Sequence, residues 1–238
     1  MAVELYTGWH GAGKTYNALA DSLAVLVRDG VPIVTNATLV GCVDVGDWLH
    51  GDETPPPRVV RFETWDQLMR VLDVAIARHL RLRLVIDEAG KFLSSRFYNK
   101  LDPRVLMVLQ ERRKVGAGLD LIATAPHVDH VDKILRDVVQ VVHVCRRFGG
   151  SEYSHDGGKP PRAFLVKTYR PTDVGKVKAK TLSRRLVPFR VELAALYTTG
   201  VVSMSEPMAD ETNRRPDLRG DVDRPAAPAV AINVARRA

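Results

Sequence analysis

Cysteine is nearly missing from this 238-residue chain: only Cys42 and Cys145 occur, and neither belongs to a CxxC or Cys/His ligand pattern. That excludes a disulfide scaffold and a thiolate metal framework, and it points to a reduced intracellular compartment. Long apolar runs are missing as well. No segment approaches the roughly 20 apolar residues that a membrane span needs. The opening MAVELYT gives way to glycine too soon to serve as a signal peptide. The expectation is a chain that is soluble, or held at a membrane by another component. Internal repeats are absent. Beyond about Ser205 aromatics disappear, and Pro, Ala, Asp and Arg take over. Such a composition cannot offset its ordering entropy, so residues 205–238 read as a disordered tail behind one folded domain at 1–204.

What is present fits one full core and a small appendage, since about 45% of the chain is apolar. The net charge of +7 admits a polyanion partner without identifying one. Apolar strands alternate with helical patterns. Val3–Thr7 reads as a strand, Tyr16–Arg28 as a helix closed by Asp29-Gly30, and Val31–Asn36 as a strand. The prolines of 51–57 mark a loop, followed by a strand at Arg58–Phe62 and a helix from a Thr64 cap to about Leu80. Leu82–Ile86 is a compact apolar strand. After it come a helix at about Pro103–Lys114, a strand at Leu119–Thr124, a helix at Val131–Leu135 and a strand at Val138–Cys145. This order predicts an α/β fold: a mostly parallel sheet with helices on both faces. Beyond a glycine-rich loop at 149–161, Ala163–Tyr169 reads as the partner of a C-terminal β-hairpin.

Gly8-Trp9-His10-Gly11-Ala12-Gly13-Lys14-Thr15 satisfies GxxxxGK[ST] between a predicted strand and a predicted helix, the context that motif requires. Glycines there let successive N–H groups turn inward on phosphates, and the helix N-terminus adds a favourable dipole. The nucleotide site is therefore assigned to Gly8, Trp9, His10, Gly11, Ala12, Gly13, Lys14, Thr15 and Tyr16. Lys14 bridges the β- and γ-phosphates of ATP in this reading, and Thr15 is a ligand of Mg²⁺. Leu84–Glu88 fits the second motif of such sites, a buried strand that delivers acids at its C-terminal end. Asp87 is assigned to Mg²⁺ and Glu88 to the attacking water.

At these residues the sequence resembles the zonula occludens toxin-like family, which contains the assembly ATPases of filamentous phages and is related to the FtsK–HerA DNA-pumping ATPases. The likeness lies in GWHGAGKTYNA, DGVPIVTN, VIDEAGKFLSSR, RRKVGAGLDLIATAPHVDHVDKILRDV and VELAALYTTG, and it covers about residues 3 to 200. It implies a P-loop ATPase acting as a homo-oligomeric ring, with capsid or assembly proteins as partners. Members commonly carry Gln after the Thr that ends the sensor strand. Here Thr124 is followed by Ala125, so Thr124 is the nearest substitute and His127 a weaker one. Arg112 and Arg113 are read, by resemblance, as an arginine finger reaching a neighbour's γ-phosphate, or else as a basic helix end; Arg136 is a third candidate. His127 and His130 suit a solvated loop better than a metal site. Filamentous-phage members carry a membrane span after the ATPase domain, and no such run is found here. The expectation therefore moves toward a soluble motor packaging a viral genome, in the host cytoplasm or on the virion.

Basic residues thicken toward the C-terminal half. Lys176, Lys178 and Lys180 alternate, so on an extended segment they share a face. With Arg184 and Arg185 they are read either as contacts to the backbone of double-stranded DNA or as a solvated face.

Overall fold

In the computed structural model the described residues are 2–45, 58–93, 108, 111, 117–150, 160–176 and 178–198. The chain divides into two units, Met1–Pro207 and Met208–Ala238, and every described residue belongs to the first. The expected helix at 103–114 (Val108 and Glu111 apart), the loop at 51–57, most of the loop at 149–161 and the tail at 205–238 lie outside the described residues.

A turn of glycines separates β1 (Val3–Thr7) from α1 (Lys14–Asp29), and Gly30 closes that helix by donating its N–H to Leu26 O at 2.9 Å. The chain continues through β2 (Ile33–Thr35), β3 (Thr38–Leu39), β4 (Val43–Asp44), β5 (Val59–Arg61) and α2 (Trp65–Ala77). A capping box begins α2: Thr64 Oγ1 accepts from Gln67 N, and the Gln67 side chain accepts from Thr64 N. Next come β6 (Leu82–Ile86), the short α3 (Ala89–Phe92), β7 (Leu119–Ala125), α4 (Lys133–Val138), β8 (Val141–Phe148), β9 (Ala163–Tyr169), β10 (Ser183–Pro188), α5 (Val191–Ala195) and β11 (Tyr197–Thr198).

Nine strands form one sheet in the order β10-β9-β8-β1-β7-β6-β2-β5-β4. From β8 to β4 every pairing is parallel, whereas β8–β9 and β9–β10 are antiparallel. This is the mostly parallel α/β sheet with a C-terminal hairpin read from the sequence, lengthened by β10 at one edge and by the short β4 at the other. β6 and β7 are buried at every position, which explains why their sequences are mostly apolar. One apolar cluster, including Tyr6, Leu19, Ile33, Val85, Ile122 and Val166, lies on the α1 face. A larger one on the opposite face joins β-strand residues to Leu68, Leu72, Leu93 and Leu135. Two charged residues interrupt the central strands and are paired: Asp120 accepts from Arg81 at 2.7 Å and Ala2 N at 2.9 Å, with Arg83 4.0 Å away. Burial would raise the Asp120 carboxyl, but the Ala2 and Arg81 hydrogen bonds hold it below its ordinary value.

Three local readings need correction. The strand expected from Val138 starts at Val141, because Val138 still ends α4 and Val139 N bonds Leu135 O at 3.1 Å. The lysine run is not extended. Ala179 N bonds Lys176 O at 3.2 Å, an i→i+3 contact that a strand does not make, so alternation no longer places the three lysines on one face. The small sheet of β3 with β11 was not anticipated; it pairs Tyr197 with Leu39 and Thr198 with Thr38.

A polar cluster on the α1 face ties the hairpin to the first helix. Tyr6 donates to Asp21, and Arg185 grips the same carboxylate with two hydrogen bonds, one of 2.7 Å. His143 stacks on Tyr6 with ring centroids 4.4 Å apart and bonds Glu4 and Thr168 at 3.2 and 3.0 Å. Burial would raise the Asp21 carboxyl, but Arg185 and Tyr6 outweigh it and hold it below the usual carboxylate range. A depressed folded-state pKa contributes stability above the unfolded pKa and loses it as pH falls through the folded value. Asp21→Asn is thus expected to cost about 1–2 kcal/mol at pH 7, the half-exposed Arg185 limiting the loss. Urea unfolding of both proteins should show the difference beginning to shrink below about pH 4, where the unfolded-state carboxyl takes up a proton, and vanishing as pH falls through the lower folded-state value. A difference independent of pH contradicts the assignment.

Candidate nucleotide site

The loop between β1 and α1 is fixed by close packing that only glycine permits. Gly8 has φ 145°, and a Cβ there would sit 2.4 Å from the Cys145 carbonyl oxygen. Gly13, the N-cap of α1 at φ 82°, faces the Phe164 ring, which a Cβ would approach to 2.5 Å. The loop closes with Ala12 N on Trp9 O at 3.1 Å, and Gly8 N bonds Pro126 O at 3.2 Å.

Below the loop, one carboxylate oxygen collects two hydroxyls. Asp87 Oδ1 accepts from Thr15 Oγ1 at 2.7 Å and from Thr124 Oγ1 at 2.6 Å. The topology dictates this meeting. β7 lies between β1 and β6, Tyr6 pairs with Thr124, and Ile86 pairs with Ala123, so the ends of three strands and the first turn of α1 converge. Thr124 Oγ1 also accepts from Glu88 N at 2.9 Å. Asn36, just past β2, clamps the Asp87 backbone from both sides, with Asp87 N to Oδ1 at 2.7 Å and Nδ2 to Asp87 O at 3.0 Å.

Glu88 adopts φ 52°, a left-handed conformation unusual for a side chain larger than glycine. Its carboxylate pairs with Lys91 one turn on, in a half-exposed position. Lys14 donates from Nζ to Trp9 O at 3.2 Å. Burial lowers the Lys14 pKa, and the charges of Asp87 and Glu88 oppose that shift. Burial pushes the Cys145 thiol up to about 12, so it stays protonated beside the loop.

The sequence-assigned residues are therefore brought together in part. Gly8, Gly13, Lys14, Thr15, Asp87, Glu88 and Thr124 form one cluster. Trp9, His10 and Gly11 are exposed on the loop, with Ala12 buried beneath. Tyr16 is the exception: its hydroxyl donates to Pro188 O at 3.1 Å and accepts from Arg190 N at 2.9 Å. Its ring packs on Phe164 and Phe189, so only its backbone faces the loop. Arg112 and Arg113 lie outside the described residues. Arg136 pairs with Asp129 at 3.1 Å, His127 caps the turn at Val128–His130, and the His127 and His130 rings lie 6.2 Å apart. Ala125 is buried and carries no polar group, so Thr124 alone presents a hydroxyl at the end of β7. Lys176 pairs with Asp173, Arg185 is engaged by Asp21, and Lys178, Lys180 and Arg184 are exposed.

Sequence reasoning missed Asn36 and Phe164. Asn36 had a faint signal, a polar residue ending a β-branched run; Phe164 had none, because its partner is 151 positions away (164 − 13).

An ordered glycine loop on a strand–helix junction, with acids at the end of a buried strand one place removed in the sheet, defines the P-loop NTPase fold. The chain belongs to the family described as Zonular occludens toxin (Zot), whose model matches residues 2–154. No curated protein matches. Among solved structures, the genome packaging NTPase B204 from Sulfolobus turreted icosahedral virus 2 in complex with ATP-gammaS is similar. It is 14% identical, with 79% of this chain and 98% of that one covered and a TM-score of 0.51. The same protein with AMPPCP is 16% identical over the same shares at a TM-score of 0.51. The N-terminal domain of zonular occludens toxin from Neisseria meningitidis is 12% identical over 83% of this chain and 98% of that one, at a TM-score of 0.47. At these identities the likeness to B204 is one of fold.

Asn36→Ala removes both clamps on Asp87 and leaves buried backbone groups to find other partners. We expect a stability loss of about 1–3 kcal/mol by chemical denaturation, with Asn36→Asp recovering at most half, since it can accept from Asp87 N but not donate to Asp87 O. Unchanged stability in Asn36→Ala would show that the clamp is not a structural support.

Proposed function

We propose that the chain is an ATPase that hydrolyses ATP at this site and works as an oligomeric motor moving DNA during phage or virus morphogenesis. The observation that carries the hydrolase reading is the convergence of Thr15, Asp87 and Thr124 beneath a glycine loop with Lys14 at its mouth. Backbone N–H groups of Gly11 to Thr15 bind the phosphates, and Lys14 transfers its hydrogen bond from Trp9 O to phosphate oxygens. The hydroxyl of Thr15 and the carboxylate of Asp87 are hard oxygen donors 2.7 Å apart, the pair that would hold Mg²⁺. The metal would there neutralise charge on the phosphates. Glu88, once free of Lys91, takes a proton from the water that attacks the γ-phosphorus, and the bond to the β–γ bridging oxygen breaks to give ADP and phosphate. Arg112 and Arg113 remain the arginine-finger proposal, carried by the family resemblance.

The motor reading rests on the family and on the exposed cations Lys178, Lys180 and Arg184. Ala125 favours a second reading, a slowly hydrolysing assembly factor, because the residue that follows Thr124 in β7 is buried and has no polar side chain with which to sense the γ-phosphate. Acting with a membrane partner is compatible with either. No described helix is long and apolar enough to cross a membrane.

Lys14→Ala should abolish phosphate release and weaken ATP binding, since it removes the charge that meets the phosphates. Glu88→Gln should bind ATP normally yet turn over at least 10²-fold more slowly. Hydrolysis within a few-fold of wild type in both variants would overturn the site. For the motor reading, duplex DNA of any sequence should raise the ATPase rate, and its affinity should fall steeply with salt. Lys178→Gln with Lys180→Gln and Arg184→Gln should flatten that slope by as much as about 2–3 in log K against log[salt]. A wild-type protein that binds no DNA would leave the assembly-factor reading standing.

A further inference from the structure

The catalytic acids approach the loop from one side only. In the sheet order β8-β1-β7-β6, the Asp87, Glu88 and Thr124 cluster stands at the ends of β6 and β7. Hydrolysis places the γ-phosphate there, so the nucleoside end of the nucleotide must leave the loop on the opposite side, toward β8. At that place the structure has a cavity of about 370 Å³, lined by Trp9, His10, Ala12, Cys145, Arg146 and Arg147.

Its chemistry suits that end of a nucleotide. Cys145 supplies a buried wall: its thiol is protonated, and its carbonyl is covered by Gly8. Arg146 and Arg147 lie at the end of β8, where strand alternation points their side chains to opposite faces of the sheet, and both still border the cavity. Arg147 is the nearer to the phosphate loop, since a Cβ on Gly11 would lie 4.0 Å from its Nη1. Among the described residues neither guanidinium has an acidic partner, in contrast to Arg185, which Asp21 neutralises. Trp9 carries its indole on the loop itself and is 88% exposed, an aromatic surface beside the cavity that nothing in the described chain covers. Large exposed aromatics next to a cleft are where flat ligands stack.

We propose that this cavity is the nucleoside subsite, in which Arg147 binds the phosphate nearest the sugar and Trp9 stacks on the base. The assignment rests on the phosphate-loop reading above and extends it to two side chains outside the loop's backbone: a cation from β8 and an aromatic that reads the base. Because Arg147 faces the sugar-proximal phosphate, its contribution is common to ATP and ADP. Because Trp9 meets the base, its contribution is absent for a ligand that has none.

Calorimetric titration of wild type, Arg147→Ala, Arg147→Lys and Trp9→Ala with ATP, ADP and inorganic tripolyphosphate tests this, with melting temperatures recorded for each protein. Arg147→Ala should weaken ATP and ADP by the same factor, roughly tenfold or more, and Arg147→Lys should recover part of the loss. Trp9→Ala should weaken ATP and ADP severalfold and leave tripolyphosphate unchanged, with an unaltered melting temperature. ATP and ADP affinities within twofold of wild type in Arg147→Ala would overturn the subsite while leaving the phosphate loop intact. So would a Trp9→Ala protein that loses tripolyphosphate as strongly as ATP. A wild type that binds neither ATP nor tripolyphosphate would overturn the phosphate-loop reading and this one together.

Discussion

A single carboxylate oxygen holds the site together. Asp87 Oδ1 accepts hydrogen bonds from Thr15 on α1 and Thr124 on β7, while Asn36 at the end of β2 fixes the backbone that carries it. Withdrawing a carboxylate even partly from water is costly unless it gains hydrogen bonds, and two hydroxyls are neutral donors that supply them without cancelling its charge. That retained charge is what a divalent cation needs. The same arrangement links the first turn of α1 to the end of β7 through two hydroxyls that meet on one oxygen. Thr124 Oγ1 also accepts from Glu88 N, the amide of the residue held at φ 52°.

The antiparallel part of the sheet serves the loop rather than ornamenting it. Gly8 rests on the Cys145 carbonyl of β8, Gly13 faces the Phe164 ring of β9, and Tyr16 is bonded to Pro188 at the end of β10 and to Arg190 just beyond it. Asp21, less than two turns along the same helix, is held by Arg185. Successive elements of the extension thus touch successive residues of the loop and helix. The Tyr16 hydroxyl and the Arg185 guanidinium, read from the sequence as parts of the nucleotide and DNA contacts, are engaged within the chain in joining α1 to the hairpin.

The central sheet and the phosphate loop were legible because their signals are local. Buried parallel strands such as β6 and β7 read as mostly apolar runs despite Arg83 and Asp120, and a glycine motif is legible when a strand precedes it and a helix follows. The capping box at Thr64 and Gln67 is local in the same sense. What was not legible depends on pairing. Asn36 matters only because β2 lies next to β6, and Phe164 only because β9 reaches the loop through β8. The lysines at 176, 178 and 180 show the opposite error, since alternation implies a shared face only in a strand, and here Ala179 N makes an i→i+3 hydrogen bond that a strand does not. β10 was missed because it is an exposed edge strand with mixed side chains and lacks the alternation that marks a half-buried one.

The claim on which all of this depends is that the Asp87 carboxylate is the metal-directing group of a nucleotide site. Its most direct test is the affinity for ATP with and without Mg²⁺, measured by calorimetry on wild type and on Asp87→Asn. The isostere keeps an oxygen that can accept from Thr15 and Thr124 but lacks the charge. The account predicts that Mg²⁺ tightens ATP binding to wild type roughly tenfold or more and leaves Asp87→Asn nearly unchanged. An equal gain from Mg²⁺ in both proteins would contradict it.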